Sequence, residues 1–262
     1  MPCNSPWALT TGTPLEEPSM TTLANARYAV YWAPAQDDPL WLAGSRWLGR
    51  DAAAVGMAHT ADEQAASPAA GLAASPALYG FHATLKPPMR LRPGCTEAAL
   101  LDSVAALAAG ITAFDLPRLV VGWLGGCLSI RPEVPIRHAH PLWRLADACV
   151  ADLDDWRLPP SDEEIARRLQ AGLTAEQTDL LRRWGYPHVM SHWRFHMTLS
   201  DPMPARDSAP AQALMASART AFDALLATPQ RARDICVFRQ DDTGAPFWLL
   251  QRFPLLGTEV PA

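Results

Sequence analysis

Apolar positions along the chain fall into two periods. In "RYAVYWAP", Tyr28, Val30 and Trp32 alternate with Arg27, Ala29 and Tyr31, the two-residue period of a strand that Pro34 ends. In "PLWLAGSRWLG" they recur at helical spacing, behind Pro39 and ahead of Gly49, which predicts a short helix. An Ala- and Pro-rich connection, residues 51–77, then leads to a strand holding "YGFHATLKPPMR", Tyr79 to Arg90. "TEAALLDSVAALAAG" predicts a helix from a Thr96 cap to Gly110. "ITAFDLPRLVVGWLGGCLSIRP" predicts two or three strands, broken at Pro117 and at Gly125-Gly126.

The second half repeats this grammar. A helix is expected from His140, a helical hairpin from Ser161 to Gly185, a strand in "WRFHMTLSDP" and a helix over Ser208 to Thr228. "RDICVFRQDDTGAPFWLLQRFPL" closes the chain as a hairpin around Asp242-Thr243-Gly244. Residues 1–25 carry no sustained period and are expected to form a loose tail, within which Met20 is a candidate natural start. The fold class is α+β: residues 26–262 are expected to form a single two-lobed domain, with antiparallel strands and helices on their outer faces.

The repeat becomes specific at two short stretches. "FHATLKPP" (Phe81 to Pro88) and "FHMTLSDP" (Phe195 to Pro202) agree at Phe, His, Thr, Leu and the final Pro. Side chains two apart on a strand share a face, so His82, Thr84 and Lys86 are expected to point one way, and Arg194, His196, Thr198 and Ser200 likewise. Lobes related by a pseudo-twofold axis would turn these stripes toward one cleft.

Two histidines facing two hydroxyls suit phosphate chemistry. One His serves as general base and the other as general acid near neutral pH, while the Thr84 and Thr198 hydroxyls donate to phosphoryl oxygens. Neither role needs a metal or cofactor. Hydrolysis of a cyclic phosphodiester uses such a pair, because attack and departure occur on opposite sides of the phosphorus. A phosphate-binding module without turnover is the alternative, which the two titratable groups make less economical.

Composition narrows the partners. A formal charge of -5 over 262 residues opposes a surface that tracks nucleic acid or an anionic membrane. Five scattered cysteines fit neither a disulfide framework nor a zinc ribbon, and no apolar run reaches a membrane span, so a reducing cytoplasm is the expected location. His188, His192 and His196 lie four apart, but Pro187 and the strand-like "WRFHMTL" oppose one helix carrying all three as zinc ligands. Ser191 lacks nucleophile-elbow glycines, and Gly125-Gly126 is too short for a nucleotide loop. Of the 22 basic residues a single one is lysine, Lys86, on the first stripe.

In its paired motifs and the wider wording "YGFHATLKPPMRL" and "RFHMTLSDP", the chain from Arg27 onward resembles the 2H phosphoesterase superfamily, in particular a bacterial branch encoded beside carbon-phosphorus lyase genes. The resemblance implies a two-lobed LigT-like fold, His82 and His196 as the acid–base pair, and Thr84 and Thr198 as phosphate ligands. The branch's genomic setting implies a small cyclic phosphate, such as 5-phosphoribosyl 1,2-cyclic phosphate from phosphonate degradation. The runner-up substrate is a 2',3'-cyclic nucleotide or RNA end. Lys86, Arg90 and Arg194 are candidate cations for a further phosphate, and Tyr79 a candidate stacking or hydrogen-bonding group.

Overall fold

The structure, a computed structural model, describes residues 25–54, 67–203 and 205–258. The expected tail apart from Asn25, the Met20 start and His59 lie outside the described residues. Seven strands form one sheet: β1 (Arg27–Trp32), β2 (Ala83–Arg90), β4 (Leu119–Leu124), β5 (Cys127–Pro132), β6 (Met197–Thr198), β8 (Asp234–Gln240) and β9 (Trp248–Pro254). Their order is β4-β5-β6-β2-β1-β8-β9, and every described pairing is antiparallel. Two-residue strands β3 (Phe114–Asp115) and β7 (Arg231–Ala232) pair separately.

Helices form where caps and periods coincide. Helix α1 (Pro39–Leu48) begins with Asp38 accepting from the Leu40 amide and ends at Gly49, whose φ of 65° is left-handed. Helix α2 (Ala74–Tyr79) is short, and α3 (Glu97–Ala109) starts with Thr96 accepting from the Ala99 amide. His140 caps α4 (Pro141–Ala151) through Nδ1, which accepts from the Leu142 amide at 3.1 Å. Reciprocal capping boxes, Ser161 with Glu164 and Thr174 with Gln177, open α5 (Asp162–Leu169) and α6 (Ala175–Trp184). Helix α7 (Ala209–Leu226) fills the stretch predicted from Ser208 to Thr228.

Helices α1, α3, α4 and α7 share one core with one face of the sheet. Tyr28, Val30 and Trp32 enter it alongside Leu40, Leu100, Leu145 and Phe222. Ala29 and Tyr31 belong to a smaller cluster on the opposite face with Trp41, Phe238 and Phe247. Strand β1 is therefore buried on both faces, as a central strand must be, rather than half-exposed as its alternation suggests.

The four core helices thus lie on one face of a continuous sheet. Two expectations need correction. The strand expected through "WRFHMTLSDP" shrinks to Met197–Thr198, preceded by a 3₁₀ turn at Met190–His192. Lys86 does not share a face with His82 and Thr84. Strand β1 advances one residue from Val30 to Tyr31 while β2 moves from Lys86 to Thr84, so Leu85 is an inserted bulge residue that turns Lys86 to the helix side, and a second register shift between Tyr28 and Val30 restores the original facing by Met89.

Packing against the motif is tight at Gly44 of α1, where a Cβ would lie 2.2 Å from the ring of buried Phe81, the residue before His82. Alanine normally favours a helix over glycine, but overfilling a close-packed core costs about 1–3 kcal/mol. Gly44→Ala is expected to lower unfolding stability by about that amount in denaturant titration. Unchanged or raised stability would show that Phe81 can move freely.

Candidate active site

The two His-x-Thr stretches meet at one antiparallel pair, Ala83 with Met197, in the middle of the sheet. Both residues are fully buried on the helix-covered side. One step along this register places Thr84 opposite His196, and one step back places His82 opposite Thr198. The four side chains therefore share the other face, each histidine across from the other motif's threonine. A tie between the stretches comes from Trp193, whose Nε1 donates to the Thr84 carbonyl at 2.9 Å.

Each imidazole is anchored in the same way. His82 Nδ1 lies 2.8 Å from the Gly80 carbonyl, and His196 Nδ1 lies 2.8 Å from the Arg194 carbonyl. A carbonyl can only accept, so both rings carry a proton on Nδ1 and leave Nε2 as the acceptor. The Thr84 hydroxyl, 3.2 Å from His82 Nε2, donates to it. Tyr31 stacks on the His82 ring with centroids 3.6 Å apart and an interplanar angle of 20°. Gly80 has a φ of 80°, and a Cβ there would meet Ala52 Cβ at 2.7 Å, so the anchoring carbonyl requires glycine.

Burial governs the charge of the pair. It lowers the His82 pKa to about 4, helped by the proximity of His196 and opposed by the bond to Gly80. Burial also lowers His196, against the bond to Arg194. In the free protein both rings are therefore neutral at pH 7, ready to accept a proton from a ligand.

His82, Thr84, His196 and Thr198 line a cavity of about 370 Å³, and Thr84, His196 and Thr198 also border an adjoining one of about 420 Å³. A depression of about 460 Å³ between β1 and α7 contains none of them, so the site is located by its chemistry. Tyr79 lines the first cavity, its ring stacked on Phe247 at 5.2 Å, and Arg194 lines the second. Two expected cations are elsewhere. Lys86 is buried on the helix side, donating to the Val150 carbonyl at 3.0 Å with Asp154 at 3.9 Å. Burial lowers its pKa to about 8, partly offset by Asp154. Arg90 is engaged by both oxygens of Glu164 at 3.1 Å.

Several lining residues escaped sequence reasoning. Arg27, Arg168 and Tyr186 come to the cavity from β1, α5 and the segment after α6. Only Arg27 carried a signal, since it shares strand parity with Tyr31. His192 is paired with Glu176 at 3.0 Å, and among the described residues no three His, Cys, Asp or Glu side chains are grouped to hold a metal. Likewise, no described helix is long and apolar enough to cross a membrane.

A family model described as "Protein of unknown function (DUF1045)" matches residues 84–248, which include Thr84, His196 and Thr198. A protein of Janthinobacterium sp. (strain Marseille), named ribose 1,5-bisphosphate phosphokinase PhnN, is 36% identical over 251 residues, covering 93% of this chain and 54% of the relative. A protein of the same name from Laribacter hongkongensis (strain HLHK9) is 34% identical over 230 residues, covering 88% and 52%. The chain thus spans about half the length of the curated relatives it matches. Their names overturn the expectation of a phosphoric diester hydrolase. A phosphokinase is a transferase, and neither opening a sugar cyclic phosphate, nor processing 2',3'-cyclic ends, nor binding without turnover accords with that name.

The depressed His82 pKa makes a prediction about stability. The unfolded ring protonates near its ordinary value of 6.5, the folded ring near about 4, so the unfolded state binds more protons between them. Stability present above pH 6.5 is expected to fall as pH drops toward about 4. His82→Gln should flatten that decline in thermal midpoints measured across the range. An equally steep decline in the variant would assign the loss to other groups.

Proposed function

We propose, from the premise that the chain belongs to the DUF1045 family, that it supplies the phosphorylated-ribose part of a phosphoryl transfer reaction on ribose 1,5-bisphosphate. In this reading the cavity holds the sugar phosphate, and one of His82 and His196 takes the proton of its reacting oxygen. Thr198 donates to a non-bridging phosphoryl oxygen, and Thr84 does so when its hydroxyl turns from His82 Nε2 to the ligand. The observation that carries the reading is the pair of neutral imidazoles, each held by Nδ1 at 2.8 Å from a backbone carbonyl, with threonine hydroxyls beside them. Phosphoryl transfer asks a protein mainly for positioning, which such a cradle offers, and for charge compensation, which Arg27 and Arg168 on the cavity wall offer.

The donor of the phosphoryl group is assigned no place in this cavity. The sole lysine follows Leu85, so the chain contains no Gly-Lys pair of a Walker loop, and Lys86 is buried on the other face of the sheet. In scaffold, the chain is read as a 2H-type fold whose local twofold runs through the Ala83–Met197 pair. The motifs are then shared with that superfamily while the reaction differs. The expected connection to phosphonate use agrees with the Phn designation of both relatives.

Calorimetric titration with ribose 1,5-bisphosphate tests the reading. A bound dianion raises the pKa of neighbouring neutral histidines, so binding near pH 6.5 is expected to draw about one proton from the buffer. His196→Gln and Thr198→Val should each weaken binding by about tenfold or more, the loss of a charge-assisted hydrogen bond. The proton uptake should disappear in a His82→Gln/His196→Gln double variant. No binding by the wild type, or uptake undiminished in that double variant, would overturn it.

A further inference from the structure

Beside the histidine cavity lies a smaller one of about 70 Å³, lined in part by Glu164, and Arg27 and Arg168 line both. Arg90 and Arg157 also line the smaller cavity, and each has a carboxylate: Glu164 at 3.1 Å for Arg90 and Asp154 at 2.8 Å for Arg157. Arg27 and Arg168 differ from them. Arg27 donates through Nε to the Gln240 side-chain carbonyl at 2.6 Å, and its guanidinium lies over the Phe247 ring at 5.4 Å. Arg168 donates to the Gly185 carbonyl and lies over Tyr186 at 5.8 Å. All these partners are neutral, and among the described residues neither arginine has a carboxylate within ion-pair distance.

Two half-buried guanidiniums, oriented by neutral groups and left without counter-charge, form an anion site. Their anchoring contacts hold each fork in place while leaving donors toward the cavity. The β-bulge at Leu85 strengthens the assignment, because it removes Lys86 from this face and leaves Arg27 and Arg168 as the cations shared by the two cavities.

We propose that Arg27 and Arg168 form a second phosphate subsite, which binds the phosphomonoester of the substrate that does not react at the histidine pair. The inference rests on the phosphorylated-ribose reading, and it makes these two residues determinants of specificity for a doubly phosphorylated sugar over a singly phosphorylated one. Their role is binding, with no part in proton transfer.

The test compares ribose 1,5-bisphosphate with ribose 5-phosphate by calorimetry on the full chain, then inorganic phosphate alone. The wild type is expected to prefer the bisphosphate by about tenfold or more, as the loss of one charge-assisted phosphate contact implies. Arg27→Gln/Arg168→Gln should bind both sugars alike, and Arg168→Lys should restore part of the preference, with thermal midpoints confirming that each variant folds. A preference retained in the double variant overturns the subsite and leaves the ribose reading intact. If no sugar phosphate binds the wild type, the ribose reading fails and inorganic phosphate decides the subsite. Phosphate binding lost in the arginine double variant but kept in His82→Gln/His196→Gln supports it, and any other pattern overturns it.

Discussion

One backbone pairing organises the site. Ala83 and Met197, both without exposure, are register partners at the centre of the sheet, and strand parity then turns His82, Thr84, His196 and Thr198 to the same side. A slip of one residue in either strand would send two of the four into the helix-covered core, where an unpaired imidazole is costly to bury. The core therefore holds the site's register. Phe81, Leu85, Phe195 and Leu199 flank the motifs, and all are buried. Further ties come from the Trp47 indole, which donates to the Leu199 carbonyl at 2.8 Å, and from Asp201, which accepts from the Ala74 and Ser75 amides at the start of α2.

Electrostatics follow from that placement. The rings are half-enclosed and their Nδ1 atoms are committed to carbonyls, so burial favours the neutral form with a lone pair at Nε2. Positive charge reaches the cavity from guanidiniums held by neutral partners, in a chain whose formal charge is -5. Attraction for an anion is thus local to the cleft rather than spread over the surface.

Much of this could be read from the residues. Thr96 and Ser161 announced their helices because caps act over three or four positions, and the duplicated Phe-His-x-Thr-Leu announced the site because its repetition survives without tertiary information. What stayed hidden depends on partners distant in sequence. Strand β8 lies beside β1 across about two hundred residues, which no local period reports. The Leu85 bulge depends on the β1 register, and it turned Lys86 from an expected ligand into a buried cation on the helix side. Arg168 sits in a stretch whose sequence states only that it forms a charged helix. The class of reaction was hidden for another reason: an acid–base pair beside phosphate donors serves hydrolysis and transfer alike.

The central claim is that two equivalent imidazoles, each protonated at Nδ1, present their Nε2 atoms to one shared ligand. Long-range proton–nitrogen NMR of the histidine rings tests it most directly. At pH 7 both His82 and His196 are predicted to carry the proton on Nδ1, and both Nε2 resonances should shift together when ribose 1,5-bisphosphate is added. A proton on Nε2 in either free ring, or a response confined to one of them, would contradict the account.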